Sequence, residues 1–110
     1  MKIHLLFICS GDKCRSPAAA DLFKRSDNYI ARSAGTHLDA RKRVTQKLLD
    51  WADLIFVMSE GTNRHLTYIK SNFIVKKKRI YDLHVRDMYF RNDSRLHKLL
   101  KQRISKIIDF

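Results

Sequence analysis

The 110-residue sequence holds two cysteines, one proline and three glycines, and each scarcity closes off a class of protein. Two cysteines separated by four residues, Cys9 and Cys14, cannot staple distant parts of a fold, so a disulfide-built scaffold is excluded. Any purpose they serve is local and chemical. Proline and glycine are too few for a low-complexity linker, and no repeat is present, so the expected organisation is one domain over residues 1–110. The longest apolar runs, "IHLLFIC" and "LIFVM", are far shorter than the roughly 20 residues a membrane span needs. The start "MKIHLLF" lacks the small-residue cleavage site of a signal peptide, which predicts a cytoplasmic protein. His4, His37, His65, His84 and His97 show no metal-ligand spacing, so neither a metal nor another cofactor is expected. Acidic residues are also few: 11 Asp plus Glu against 23 Lys plus Arg leave a net charge of +12. Such a field attracts acidic partners of any kind without choosing among them. No RNA or DNA motif accompanies it, so nucleic acid is not the expected partner.

What is present alternates between strands and helices. Residues 2–9 are an almost unbroken apolar run, as in the middle of a parallel sheet. Ser16 can cap a helix with Pro17 at its first position, and that helix should end near Ser26. A second strand is expected over Asn28 to Thr36, closed by Gly35, and a helix around Val44, Leu48 and Trp51 with the spacing of a buried stripe. A third strand over Asp53 to Ser59 precedes one helix over roughly residues 61–70 and a strand near Arg79 to Leu83. Leu96, Leu99, Leu100, Ile104, Ile107 and Ile108 then mark a final helix behind the capping candidates Asn92, Asp93 and Ser94. Repeated βαβ units predict an α/β fold: a small four-stranded parallel sheet with helices on both faces. Ligands of such sheets bind beyond the carboxyl ends of the strands. The loop after Cys9 lies there.

That loop reads "FICSGDKCRSP" from Phe7 to Pro17. A strand, a tight turn and a helix start in succession can aim backbone N–H groups inward as an anion nest. Ser10, Gly11, Asp12, Lys13, Cys14, Arg15 and Ser16 are the phosphate-binding candidates, with Arg15 able to grip two oxygens through its planar fork. The same positive surroundings favour a Cys9 thiolate, a nucleophile placed beneath a bound phosphate. Ser16 can hydrogen-bond that sulfur and ease its departure in a second step.

The string C-x5-R-S, with Gly11, Cys14 and Pro17, resembles the C-x-G-N-x-C-R-S-P signature of the low-molecular-weight protein tyrosine phosphatases. The resemblance extends through "RSAGT", "DLIFVMSEGTNRHL" and "RDMYFRNDS", the last similar to the family's D-P-Y-Y region. It implies a phosphomonoester hydrolase, protein tyrosine phosphatase-like, that works through a phosphocysteine intermediate on a phosphorylated protein or a small phosphomonoester. Inorganic phosphate, sulfate or vanadate would compete at the same loop. The family's general acid maps to Asp87, with Asp82 and Asp93 as competitors that have structural explanations as a strand end and a helix cap. Tyr89 and Phe90 would form an apolar wall for the substrate ring.

The chain departs from the family pattern in four places. The segment between Gly35 and Val44 is short, which predicts a shallow cleft. Asp12 replaces the usual Asn and brings a negative charge to an anion site, while tolerating the same left-handed backbone. Lys13 stands at a usually apolar position, where it can steer acidic substrates or offset Asp12, and Met88 stands for a proline that would stiffen the acid loop. These departures keep open a phosphate-binding module without turnover. An arsenate reductase would need further cysteines to relay a disulfide, and a sugar-transport phosphocarrier would not need Arg15 and Ser16. Cys14 can pack or can trap an oxidised Cys9.

Overall fold

The computed structural model describes residues 1–110. Four strands, β1 (Ile3–Cys9), β2 (Tyr29–Gly35), β3 (Leu54–Val57) and β4 (Arg79–Asp82), pair in parallel in the order β2-β1-β3-β4. The register aligns their carboxyl ends: Cys9 lies opposite Gly35, Ile8 opposite Val57, and Val57 opposite Asp82. The chain steps from β1 outward to β2 and then crosses to β3 on the other side, so the order reverses at the end of β1. Open α/β sheets gather ligands at such a reversal.

Side chains of β1 alternate between two cores, as a pleated strand requires. Leu5, Phe7 and Cys9 face a cluster shared with Ala18 and Ala19 of α1 (Arg15–Asp21) and Leu96, Leu100 and Ile104 of α5 (Ser94–Ile104). Leu6 and Ile8 face a second cluster with Leu49 of α2 (Gln46–Trp51) and Ile69 of α4 (His65–Asn72). Helices thus cover both faces, and the strand carrying Cys9 is buried on each side.

Several local expectations need correction. Arg15, not Pro17, opens α1, and Ser16 is no cap; Cys14 stands at that position without a side-chain cap bond. Pro17 still sits in the first turn, where a missing N–H costs nothing. The first helix ends at Asp21 rather than near Ser26. In α2 the buried residue is Leu49; Val44 precedes Thr45, whose hydroxyl accepts from the Leu48 N–H and starts the helix. The expected helix over 61–70 is two, α3 (Glu60–Asn63) and α4, broken at Arg64 with φ of 56°. Asp93 caps α5 by accepting from the Arg95 N–H.

Candidate active site

A cavity of about 230 Å³ opens at the carboxyl end of β1, with Cys9, Arg15 and Asp87 in its lining beside Ser10, Gly11, Lys13, Cys14 and His37. The chain builds it by turning carbonyls outward. Cys9, Ser10, Gly11 and Cys14 give their C=O groups to the N–H groups of Thr36, His37, Arg41 and Ala18 at 3.0 Å each. The N–H groups of Gly11, Asp12, Lys13 and Cys14 donate to no group in the protein. Donors left free on a curled loop at a helix start are what an anion nest consists of.

The tight approach behind the loop depends on Gly35, not on Gly11. A Cβ on Gly35 would meet the Ser10 carbonyl oxygen at 2.5 Å and the Ala40 Cβ at 2.7 Å, whereas one on Gly11 would make only ordinary contacts, the nearest at 3.8 Å. The short segment after β2 therefore presses directly on the loop.

Arg15 is 1% exposed, the largest side chain so buried. A buried cation must be met by acceptors, and it is: Nη1 donates to Asn63 Oδ1 at 2.9 Å and to the Val85 carbonyl at 3.0 Å, while Nη2 reaches Ser10 Oγ at 3.4 Å. Its Nε lies 3.9 Å from Asp87 Oδ1. The fork is thus fixed before any ligand arrives.

His65 stands behind the loop, fully buried. Its Nδ1 accepts from the Ser59 N–H at 3.0 Å, which puts the ring proton on Nε2, and Nε2 then donates to Ser10 Oγ at 2.9 Å. Burial, with Arg15 nearby as the second cause, lowers its pKa from 6.5 to about 4. Ser10 Oγ accepts from both His65 and Arg15, so its own proton is free to point elsewhere. The break at Arg64 explains how Asn63 and His65 serve one loop. In an unbroken helix two residues apart face about 200° from one another; the left-handed residue between them turns both toward Ser10 and Arg15.

Asp12 and Ser16 do not line the cavity. Asp12, at φ of 54° and fully buried, turns its carboxylate behind the loop, where Oδ1 accepts from Ser16 Oγ at 2.8 Å and Oδ2 lies 3.1 Å from Arg41 Nη2. Arg41, rather than Lys13, meets the charge of Asp12; Lys13 is exposed at the rim. Ser16 Oγ is 2.9 Å from Cys9 Sγ.

The remaining candidates divide. Asp87 reaches the cavity with its side chain 65% exposed. Asp82 is held by the Glu60 and His84 N–H groups, and Asp93 by its cap. Tyr89 and Phe90 form no cavity wall: Tyr89 packs on the α1–α5 core with Arg95 over its ring, and Phe90 is 83% exposed. The loop carrying Asp87 is tied down without a proline at Met88, since Arg91 donates twice to Asp21 of α1, at 2.8 and 2.9 Å. That pair lowers the Asp21 pKa.

Asn63, His65, His37 and Arg41 were not among the sequence candidates. The string "SEGTNRHL" carried two of them, but a run read as one helix gives no sign that Asn63 and His65 converge.

No protein-family model matches the sequence, and no curated protein does. Solved structures do resemble the fold. Wzb of Vibrio vulnificus, in complex with benzylphosphonate, superposes with a TM-score of 0.74 at 17% identity, over 96% of this chain and 97% of that one. A low-molecular-weight protein tyrosine phosphatase from T. tengcongensis gives 0.69 at 18%, over 96% and 100%. A YwlE mutant from Bacillus subtilis gives 0.69 at 22%, over 96% and 97%, and another YwlE structure is of the arginine phosphatase's cysteine-to-serine mutant with a phosphorylated active-site serine. The likeness runs nearly end to end in both partners, and it shows that this chain has the fold of the low-molecular-weight protein tyrosine phosphatases.

Proposed function

We propose that this chain hydrolyses phosphomonoesters through a phosphocysteine intermediate, as a low-molecular-weight protein tyrosine phosphatase. The observation that carries the reading is the coincidence, at one cavity, of Cys9, a loop whose N–H groups from Gly11 to Cys14 have no partner in the protein, and the preset guanidinium of Arg15. A phosphate there has its equatorial oxygens held by the N–H groups and Arg15, so charge is stabilised where it develops. Cys9 Sγ attacks phosphorus, the bond to the leaving oxygen breaks, and Asp87 gives that oxygen its proton. Water then attacks phosphorus with Asp87 taking its proton, the S–P bond breaks, and Cys9 is restored. Asp87 Oδ1 at 3.9 Å from Arg15 Nε, on a side chain 65% exposed, supports its reading as the acid that meets the leaving group. A free thiol nucleophile suits a reducing compartment, which favours the cytoplasm. With Phe90 in solvent and no aromatic wall, a phosphorylated protein and a small phosphomonoester are both accommodated.

Steady-state hydrolysis of p-nitrophenyl phosphate, phosphotyrosine and phosphoarginine by the wild type and Cys9→Ser tests this. Phosphoarginine is included because a similar structure is an arginine phosphatase. The wild type is expected to turn over at least the aryl phosphate and Cys9→Ser none. Equal rates in the two proteins would end the phosphocysteine mechanism.

A further inference from the structure

We propose that the outer edge of β4, with the apolar groove between it and α4, is a docking site for an extended, acidic segment of a partner protein. The groove is a cavity of about 470 Å³ that shares no lining residue with the cavity over Cys9. Leu66, Phe73, Ile74, Val75 and Ile80 line it, and its volume lies within the range of about 300–1,000 Å³ over which proteins commonly bury ligands. Ile74 is 72% exposed, yet its backbone is pinned on both polar groups. Its N–H donates to Gln46 Oε1 at 2.9 Å, and its carbonyl accepts from Gln46 Nε2 at 2.8 Å. Lys78 fixes the far end of the same segment by donating to the Asp50 and Ala52 carbonyls at 3.0 and 2.6 Å. An apolar side chain held out in water on a fixed backbone is a contact prepared in advance.

Two observations name the occupant. β4 pairs with β3 and with no strand on its other side, so alternate backbone N–H and C=O groups face outward as a template for one more strand. The pleat then sets what that strand must carry. Ile80 packs on the α4 side of the sheet and Tyr81 on the α1–α5 side, and Arg79 shares the face of Tyr81 by alternation. A strand laid along β4 therefore puts every second side chain into the groove and the others on the face of Arg79. The first set must be apolar and the second acidic, because Lys70, Lys76, Lys77 and Arg79 are exposed and none is paired with a carboxylate. The nearby carboxylates are already taken: Asp50 accepts from Gln46, and Asp82 from the Glu60 and His84 N–H groups. A second copy of this chain would bring the same cations to the same edge, at a net charge of +12, and be repelled. An anionic bilayer would meet the cations, but lipid tails offer nothing for a strand edge to pair with.

Fluorescence anisotropy with a labelled peptide of alternating valine and glutamate tests this. The wild type is expected to bind it, and Ile74→Asp and the double variant Lys76→Glu, Lys77→Glu should each weaken binding by about tenfold or more. All three positions are exposed, so neither variant threatens the fold. A peptide of the same composition with its valines and glutamates in separate blocks should bind about tenfold more weakly, and one with lysine in place of glutamate should not bind. In an NMR titration the amide shifts should gather on Leu66, Ile74 and Ile80 and leave residues 10–16 unmoved. No binding of the alternating peptide overturns the proposal. Equal binding of the alternating and blocked peptides does so too, by reducing the effect to net charge, as do shifts gathered on residues 10–16, the mark of carboxylates held in the anion nest. Phosphatidylserine vesicles that bind the wild type but not Ile74→Asp, where the peptide binds neither, would make the occupant a membrane. A dimer in sedimentation that Ile74→Asp dissolves would make it a second copy. Either result also overturns the proposal. None of these readings uses Cys9 or turnover, so the docking site and the proposed function stand or fall separately.

Discussion

The loop after β1 and the loop after β4 both reach the cavity over Cys9, but they meet it from opposite surroundings. In the first, Asp12, Arg15 and Ser16 are at most 1% exposed, and its carbonyls and side chains are bonded to segments following β2, β3 and β4. In the second, Asp87 has a side chain 65% exposed and touches the site through one contact of 3.9 Å. The division suits the two tasks proposed for them. Donors that stabilise a developing charge work best when they need no reorganisation, so they belong in rigid, dry surroundings. An acid that must give up a proton and later take one from water belongs at the wet edge.

Two substitutions test that division, one on each side. Arg15→Lys should have the largest effect. A single ammonium cannot serve Asn63, Val85 and Ser10 together and still present a planar pair of donors, so kcat/KM should fall by about 1,000-fold or more. The loss should be the same for good and poor leaving groups. Asp87→Asn should divide the substrates instead. Phosphotyrosine, whose leaving group has a pKa of about 10, should slow by about 100-fold or more, while p-nitrophenyl phosphate, whose nitrophenolate leaves unaided, should slow by less than about tenfold. Vanadate inhibition should survive. Equal losses on both substrates would make Asp87 a structural residue and erase the contrast between the loops.

The two regions also differ in how much of them was legible in the sequence. The order of strands and helices, the cap at Asp93 and the junction after Cys9 follow from local patterns: apolar runs, capping residues and a strand-loop-helix boundary. What supports the junction does not, because it comes from elsewhere in the chain. Gly35, Arg41, Asn63 and His65 act on residues 10–16 only after β2 and β3 are paired on either side of β1, and nothing in their own neighbourhoods announces it. Arg64 shows the same limit. A left-handed arginine between two helical stretches has no local signature, whereas tertiary contact of both neighbours with Arg15 and Ser10 explains it. The aromatic wall failed for a related reason, since Tyr89 finds more to bury against α5 than over an open cavity.

The smallest of the expected effects concerns the support of the buried loop rather than its chemistry. His65 is neutral in the fold, with its pKa lowered to about 4 by burial first and Arg15 second, whereas in the unfolded chain it titrates near 6.5. Between those values the unfolded state binds a proton that the folded state refuses, so stability falls as pH drops through this window. The contribution is complete above about pH 6.5, is lost by about pH 4, and amounts to about 3 kcal/mol. Protonation would also remove the Nδ1 acceptor from the Ser59 N–H, so the acid form cannot keep the present bonds. His65→Gln separates this from the general acid loss of carboxylate pairs, because an amide can donate to Ser10 without titrating. Urea unfolding at pH 7, 5.5 and 4 should show a steeper decline in the wild type than in His65→Gln. Parallel declines would mean that His65 carries its proton in the fold, and that the bond to the Ser59 N–H is not what holds the ring behind Ser10.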